Sequence, residues 1–458
     1  MDSTSTYQQS YLQTMNNILS TNFNVKSLIK FTFPTILMMV AMSSYTIIDG
    51  IFVAQFVGEV ALSAINIVVP IFNILLSIGL MFASGGTAIV GKLMGQQRSK
   101  EAREFMSLLY LVTFIIGSLI TIFLLIYSKD ITRLLGADET LFKDAHIYLI
   151  TVSIFSITLM FQNLANSLLV AAGKPKLGFI LCLIGGIVNI ILDYIFISPH
   201  IFNLGIAGAG LATGIGNSVP AFFCLIYFIF NKSNVLYITK PSSDIKLIFK
   251  ACYNGMSELV GQLSIAITTF LFNNILYYFS GNDGIAAITV ILYIQMLQQA
   301  VFIGYNIGVA PIISYKYGAK DHIQLHRIIK ISMIFLLSIS IIVIGCTYIF
   351  ADLATIIFLD PSSNAFDLTS MGLKITSLSF IAMSINLFIS NLFTCLSNGH
   401  ISALLAITRS LFCMVLCLLI LPMIFKVMGV WIAVPIAEIL AMILSIILFY
   451  KFKRVYNY

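Results

Sequence analysis

The run LGFILCLIGGIVNIILDYIFI (177–197) is apolar throughout except for Asn189 and, near its end, Asp193. About 20 such residues cross the hydrocarbon of a bilayer as a helix. A carboxylate held there costs at least about 2.5 kcal/mol on insertion scales, so it is retained for function unless a structural partner is found for it. The run 31–56 repeats the pattern, with Asp49 inside it. Two acids buried in this way point to a cation site in a membrane carrier.

The rest of the composition fits a bilayer. Hydrophobic residues make up 59% and charged residues 9%, with a mean hydropathy of +1.01, whereas soluble domains carry about 25% charged residues. Twelve apolar runs are long enough to span, at 31–56, 62–90, 106–127, 146–171, 177–197, 206–230, 251–279, 285–314, 331–351, 374–397, 402–425 and 429–450. None alternates like a barrel strand, and in lipid such segments satisfy their amides only as helices. The expectation is therefore an all-α integral membrane protein. The first 25 residues are polar, with no apolar core behind a basic start, so no cleavable signal peptide is expected. The seven cysteines lie in apolar segments without paired spacing and read as small hydrophobes.

Basic residues set the orientation. All of them except Lys129, Arg133, Lys143, Lys374 and Lys426 fall on the side of the N-terminus, which places both termini in the cytoplasm of a bacterial cell membrane. The net charge of +7 thus needs no nucleic-acid partner; lipid headgroups are its ordinary neighbours.

A displacement of 223 positions pairs Gly58 with Gly281, Ala64 with Ala287, Gly85 with Gly308 and Gly95 with Gly318; near the end of each half, Gly208 resembles Gly429. The chain then divides into a tail (1–30), a first lobe (31–230), a cytoplasmic linker (231–250), a second lobe (251–450) and a tail (451–458). Six spans per lobe make both lobes enter from one side, so a pseudo-twofold axis along the membrane normal relates them.

Four acids lie within spans: Asp49, Asp193, Glu258 and Glu438. At about 1.5 Å per residue, Asp49 and Asp193 stand at nearly the same depth, in the outer half. Asn189 shares a face with Asp193, and Thr213 comes down from the outer end of the next span. Carboxylate, amide and hydroxyl oxygens suit a hard cation, and two carboxylates drawn close also share a proton. The coupling ion is expected to be Na⁺ or H⁺ at Asp49, Asn189, Asp193 and Thr213. Glu258, near the inner surface, and Glu438, near mid-membrane, are either second-lobe participants or polar contacts between helices, with Arg409 as a partner if its side chain turns inward.

The stretches IIDGIFVAQFVGEVALSAI (47–65), NIILDYIF (189–196) and GIAGAGLAT (205–213) resemble the first-, fifth- and sixth-span motifs of the multidrug and toxic compound extrusion (MATE) transporters. The resemblance covers nearly the whole chain and implies a cation site in the N-terminal lobe at the same four residues. It also makes Pro34 a candidate hinge in the first span. At the 223 displacement Phe272 stands opposite Asp49, so the second lobe has no equivalent acid there.

The expected activity is multidrug efflux by cation antiport with alternating access, in a monomeric carrier of amphipathic, often cationic organic molecules. Gln55, Gln162, Asn163 and Gln295 are candidate polar residues of its substrate cavity. A flippase for lipid-linked oligosaccharide or peptidoglycan precursors is the alternative, but it calls for basic residues in a central cavity, and these avoid the spans. GTAIVGKL (86–93) lacks the Ser or Thr of a phosphate-binding loop, as Leu93 stands there. No catalytic constellation, cofactor or structural metal is expected.

Overall fold

The computed structural model describes residues 18–198 and 201–458, which are helical throughout apart from short connections. The helices are α1 (Val25–Phe56), α2 (Glu59–Gly95), α3 (Ser99–Ile126), α4 (Ser128–Leu134), α5 (Phe142–Ile154), α6 (Ser156–Ala171), α7 (Pro175–Ile197) and α8 (Ile206–Phe230) in the first half. The second half holds α9 (Lys246–Gly318), α10 (His322–Ile356), α11 (Asn364–Ser377), α12 (Phe380–Cys395), α13 (Gly399–Ile407) and, after a π-helical turn at Thr408–Cys413, α14 (Met414–Tyr456). Their starts follow local chemistry. Asn24 and Ser27 exchange side-chain-to-backbone bonds at the start of α1, a reciprocal cap that satisfies two otherwise free amides. Asp321, Ser363 and Asn398 cap α10, α11 and α13 in the same sense.

Among the described residues eight helical segments are individually long and apolar enough to cross a membrane, and the bent pairs α5/α6 and α11/α12 raise the number to ten. Two of these segments, of 73 and 58 residues, exceed one crossing. Each contains one non-helical residue, Gly281 and Lys426 respectively. The expected twelve spans correspond to dividing both segments there.

The bends in the two pairs, 49° and 51°, occur without proline. Serine hydroxyls there donate back to their own helix: Ser153 to Leu149, Ser156 to Ser153, Ser377 to Lys374 and Ser379 to Thr376, at 2.6 to 2.8 Å. Such bonds compete for the carbonyls of the helical ladder and bend it.

The internal repeat is plainer in the backbone than in the side chains. Gln97 and Lys320 are both left-handed (φ 63° and 56°), as are Gly173 and Ser397 (75° and 62°), and each pair marks the same turn in its half. Gly205 (φ 56°, ψ −134°) and Lys426 (φ 52°, ψ −132°) have nearly one conformation. A Cβ makes that region costly, by roughly 1–3 kcal/mol per residue. Lys426→Gly is therefore expected to raise thermal stability in detergent by up to that amount; an unchanged melting temperature would count against the strain.

The two halves meet through glycines. A Cβ on Gly85 would stand 2.0 Å from the Ala251 carbonyl oxygen, one on Gly255 2.0 Å from that of Met81, one on Gly95 2.1 Å from that of Tyr315, and one on Gly318 2.2 Å from that of Lys92. Small residues let membrane helices touch backbone to backbone, and here they join α2 to both arms of α9. Around them one end of the bundle closes: Lys92 donates to Ser397 Oγ at 3.5 Å, and Lys316 Nζ reaches Asp321 and the Ser20 carbonyl, each at 3.1 Å. Phe23 N–H donates to Gln324 Oε1 at 3.2 Å. The turns at 96–98, 319–321 and 396–398 thus gather with residues 18–24 at this basic end. Because the obstructing atoms are main-chain oxygens, Gly85→Val is expected to wedge the halves apart, seen as a sharp loss of folded protein or of heat resistance; wild-type behaviour would mean the contact is not needed.

Candidate cation site

Glycines also draw α1, α7 and α8 together in the first half. The Tyr45 ring lies against Gly186, where a Cβ would come within 2.7 Å, and Gly216 faces Asn189 Cβ and Gly185 at a similarly short range. Thr213 precedes Gly216 by three residues and so shares its face of α8. Asp49, Asn189, Asp193 and Thr213 therefore come from three helices into one place. Asp193 is fully buried and Asn189 nearly so. The two carboxyl groups lie within interaction range of one another.

Apart from the approach of the two carboxyl groups to each other, most of their polar atoms have no protein partner. Asp49 Oδ1, both carboxyl oxygens of Asp193, Asn189 Oδ1 and Nδ2, and Thr213 Oγ1 are buried with no hydrogen bond. An unmade bond at a buried polar group costs about 1–3 kcal/mol, more for a charged one. Oxygens concentrated in this way match a small hard cation or a shared proton. Among the described residues no three His, Cys, Asp or Glu side chains gather as a metal site.

Two tyrosines complete the surroundings and were not singled out in the sequence. Tyr45 sits one turn before Asp49 on α1 and adjoins it; its spacing was a usable signal. Tyr148, on α5, packs beside Gly210 of α8, one turn before Thr213, and no spacing links it to the acids.

The second half fills the corresponding space with apolar groups. Phe272 stands opposite Asp49 at the displacement of 223, and at the displacement of 221 that pairs Gly208 with Gly429, Met414 and Val434 stand opposite Asp193 and Thr213. In the first half Gly210 lies beside the Tyr148 ring, and in the second the sizes are exchanged, with Trp431 packed on Gly372.

Glu438 is fully partnered. Arg409 donates to its Oε1 at 3.0 Å, and Asn386 Nδ2 donates to Oε2 at 2.8 Å and to its main-chain oxygen at 2.9 Å. Ser445 in turn donates to Asn386 Oδ1. Arg409 reaches inward from the π-helical turn, whose extra residue rotates the helix face. Glu438 thus forms an ion pair between helices. Glu258 is half-buried on α9, with Arg409 as a neighbouring charge.

α1 continues through Pro34 without a non-helical residue. Among the cavity candidates, Gln162 and Gln295 are buried, and Asn163 returns its amide to the Leu159 carbonyl of its own helix. Gln55 is exposed near the end of α1.

The MatE family model matches residues 34–195 and 259–419, one copy in each half. The chain belongs to the MatE family. Similar proteins within reach of this MatE chain include the multidrug export protein MepA of Staphylococcus saprophyticus, 26% identical over 430 residues and covering 89% of this chain and 88% of its own. MepA of Staphylococcus haemolyticus is 24% identical over 439 residues, covering 94% of both chains. Among solved structures, an outward-facing multidrug resistance MATE transporter superposes with a TM-score of 0.89 at 21% identity, over 96% of this chain and 98% of that one. A MOP superfamily transporter from Pyrococcus furiosus gives the same values. The MatE fold of two helical lobes is thus shared over nearly the whole chain.

Proposed function

We propose that this MatE protein exports amphipathic, often cationic organic molecules by antiport against Na⁺ or H⁺, with Asp49, Asn189, Asp193 and Thr213 as the coupling site. The observation that carries this reading is the set of buried, partnerless oxygens at those residues. A folded protein tolerates them where a cargo ion supplies the missing bonds. The first half (31–230) then holds the ion, the segment 231–250 links it to the second half (251–450), and both termini lie in the cytoplasm. The multidrug export proteins it resembles support the choice of cargo.

Alternating access needs a closed end and an open one. The glycine contacts and the Lys316 and Lys92 bonds close the basic end, so this arrangement fits an outward-open carrier. Ion binding at the acids then alters the packing of α1 against α7, releases the substrate, and precedes the inward return. The flippase alternative finds no support, because Arg409 is engaged by Glu438 and is not free for a pyrophosphate. The test is export of a fluorescent cationic dye by proteoliposomes with the Na⁺ and pH gradients imposed separately. Efflux driven by one of them is expected, and dye movement indifferent to both would reject antiport.

A further inference from the structure

Below the acid pair, toward the basic end, the interior of the first half holds a column of neutral polar groups that ion binding does not use. Tyr45 adjoins Gln162 of α6 and Cys182 of α7. Cys182 Sγ donates to Asn166 Oδ1 at 3.3 Å, and Gln162 also reaches it. On α8, Cys224 stands one turn before Phe228, and Phe228 packs on the Tyr110 ring of α3. Gln162, Asn166, Cys182, Cys224, Tyr110 and Thr113 are each at most 5% exposed.

Two hydroxyls of this column have no partner. Tyr110 Oη and Thr113 Oγ1, three residues apart on one face of α3, are buried without any hydrogen bond. Glue between helices does not account for them, since glue consists of bonds that are made. Buried polar groups of this kind are the ordinary partners of internal water. Counted from Pro175 at about 1.5 Å per residue, Asp193 lies about 27 Å and Cys182 about 10 Å along α7. The column therefore runs for about 17 Å along α7, a little over half of a hydrocarbon core of about 30 Å. Phe161 and Phe228 pack on Tyr110, with ring centroids 5.4 and 6.4 Å away.

We infer that this column is the exit of the coupling ion, a water-threaded proton wire inside the first half that keeps the ion apart from the cleft through which the organic substrate moves. Below Asp193 the groups are hydroxyl, amide and thiol. The hydroxyls and thiols accept a proton from one water and pass their own on unchanged, while the amides only hold the waters in line; none of these groups is a carboxylate that would offset the charge of Na⁺. Phe161 and Phe228 keep the wire shut in the present arrangement.

The inference rests on the antiport reading, and the experiment separates the two. In proteoliposomes with an entrapped pH dye, Tyr110→Phe with Thr113→Val is expected to slow proton-coupled dye efflux at least about tenfold, with dye affinity unchanged. In protein retaining only Cys182 or only Cys224, a small cationic thiol reagent is expected to react from the basic side while substrate cycles, and not from the other side. Full-rate proton coupling in the double variant, or cysteines inert from the basic side during turnover, overturns the wire. Coupling to Na⁺ alone overturns it too, while leaving the acid pair in place. If Asp49→Asn keeps its coupling, the antiport reading itself has failed.

Discussion

Asp49→Asn and Asp193→Asn are each expected to reduce gradient-driven accumulation of a dye to simple equilibration. Asparagine keeps the shape and an oxygen but removes the charge. At about 4 Å and an effective dielectric near 20, a carboxylate attracts a monovalent cation by about 4 kcal/mol, which is about a thousandfold in affinity. The remaining acid does not replace that loss, because it is held on a separate helix, α1 or α7, and keeps its own place there. Dye exchange without a gradient is expected to persist. Each variant should also resist heat better than the parent, since an amide in place of a partnerless buried carboxylate removes a cost the fold now bears. Undiminished accumulation in either variant would sink the assignment, and so would a fall in heat resistance with coupling intact.

The second large effect is expected in the other half. Glu438→Leu leaves Arg409 without its acceptor and removes one of the two acceptors of the Asn386 amide, and breaking a buried pair from one side costs about 3–5 kcal/mol. Arg409 is about a fifth exposed at its side chain, which places the loss toward the lower figure. Replacing both residues, Arg409→Met with Glu438→Leu, should recover most of it, because no lone charge remains. Thermal unfolding of the two single variants and the double variant forms a cycle that measures the coupling. If the double variant is as unstable as Glu438→Leu alone, the pair is not what holds α12, α14 and the π-helical turn together.

Much of this architecture was legible in the sequence because depth in a membrane is counted along the chain. Asp49, Asn189, Asp193 and Thr213 could be brought to one level by helical rise alone, and α1, α7 and α8, which carry them, pack on one another through Gly186 and Gly216. Features that depend on the direction a helix faces were harder to read. Tyr148 comes beside Gly210 of α8 from a helix that ends at the serine bend between α5 and α6, and no residue spacing encodes a 49° turn. Arg409 reads as a residue near an inner end, yet one extra residue in the π-helical turn sends it to Glu438. The repeat was faint for a related reason. It persists in turn conformations, and Lys426 occupies a glycine-like one although its side chain gives no hint of it.

Trp431 is the one tryptophan of the chain. It is fully enclosed, with Nε1 unbonded and its ring on Gly372, so the ultraviolet emission of the whole protein is dominated by a single reporter in the second half. A shift in that emission when Na⁺ or acid is added to the unlabelled protein would report, without any label, that the second half responds to the ion.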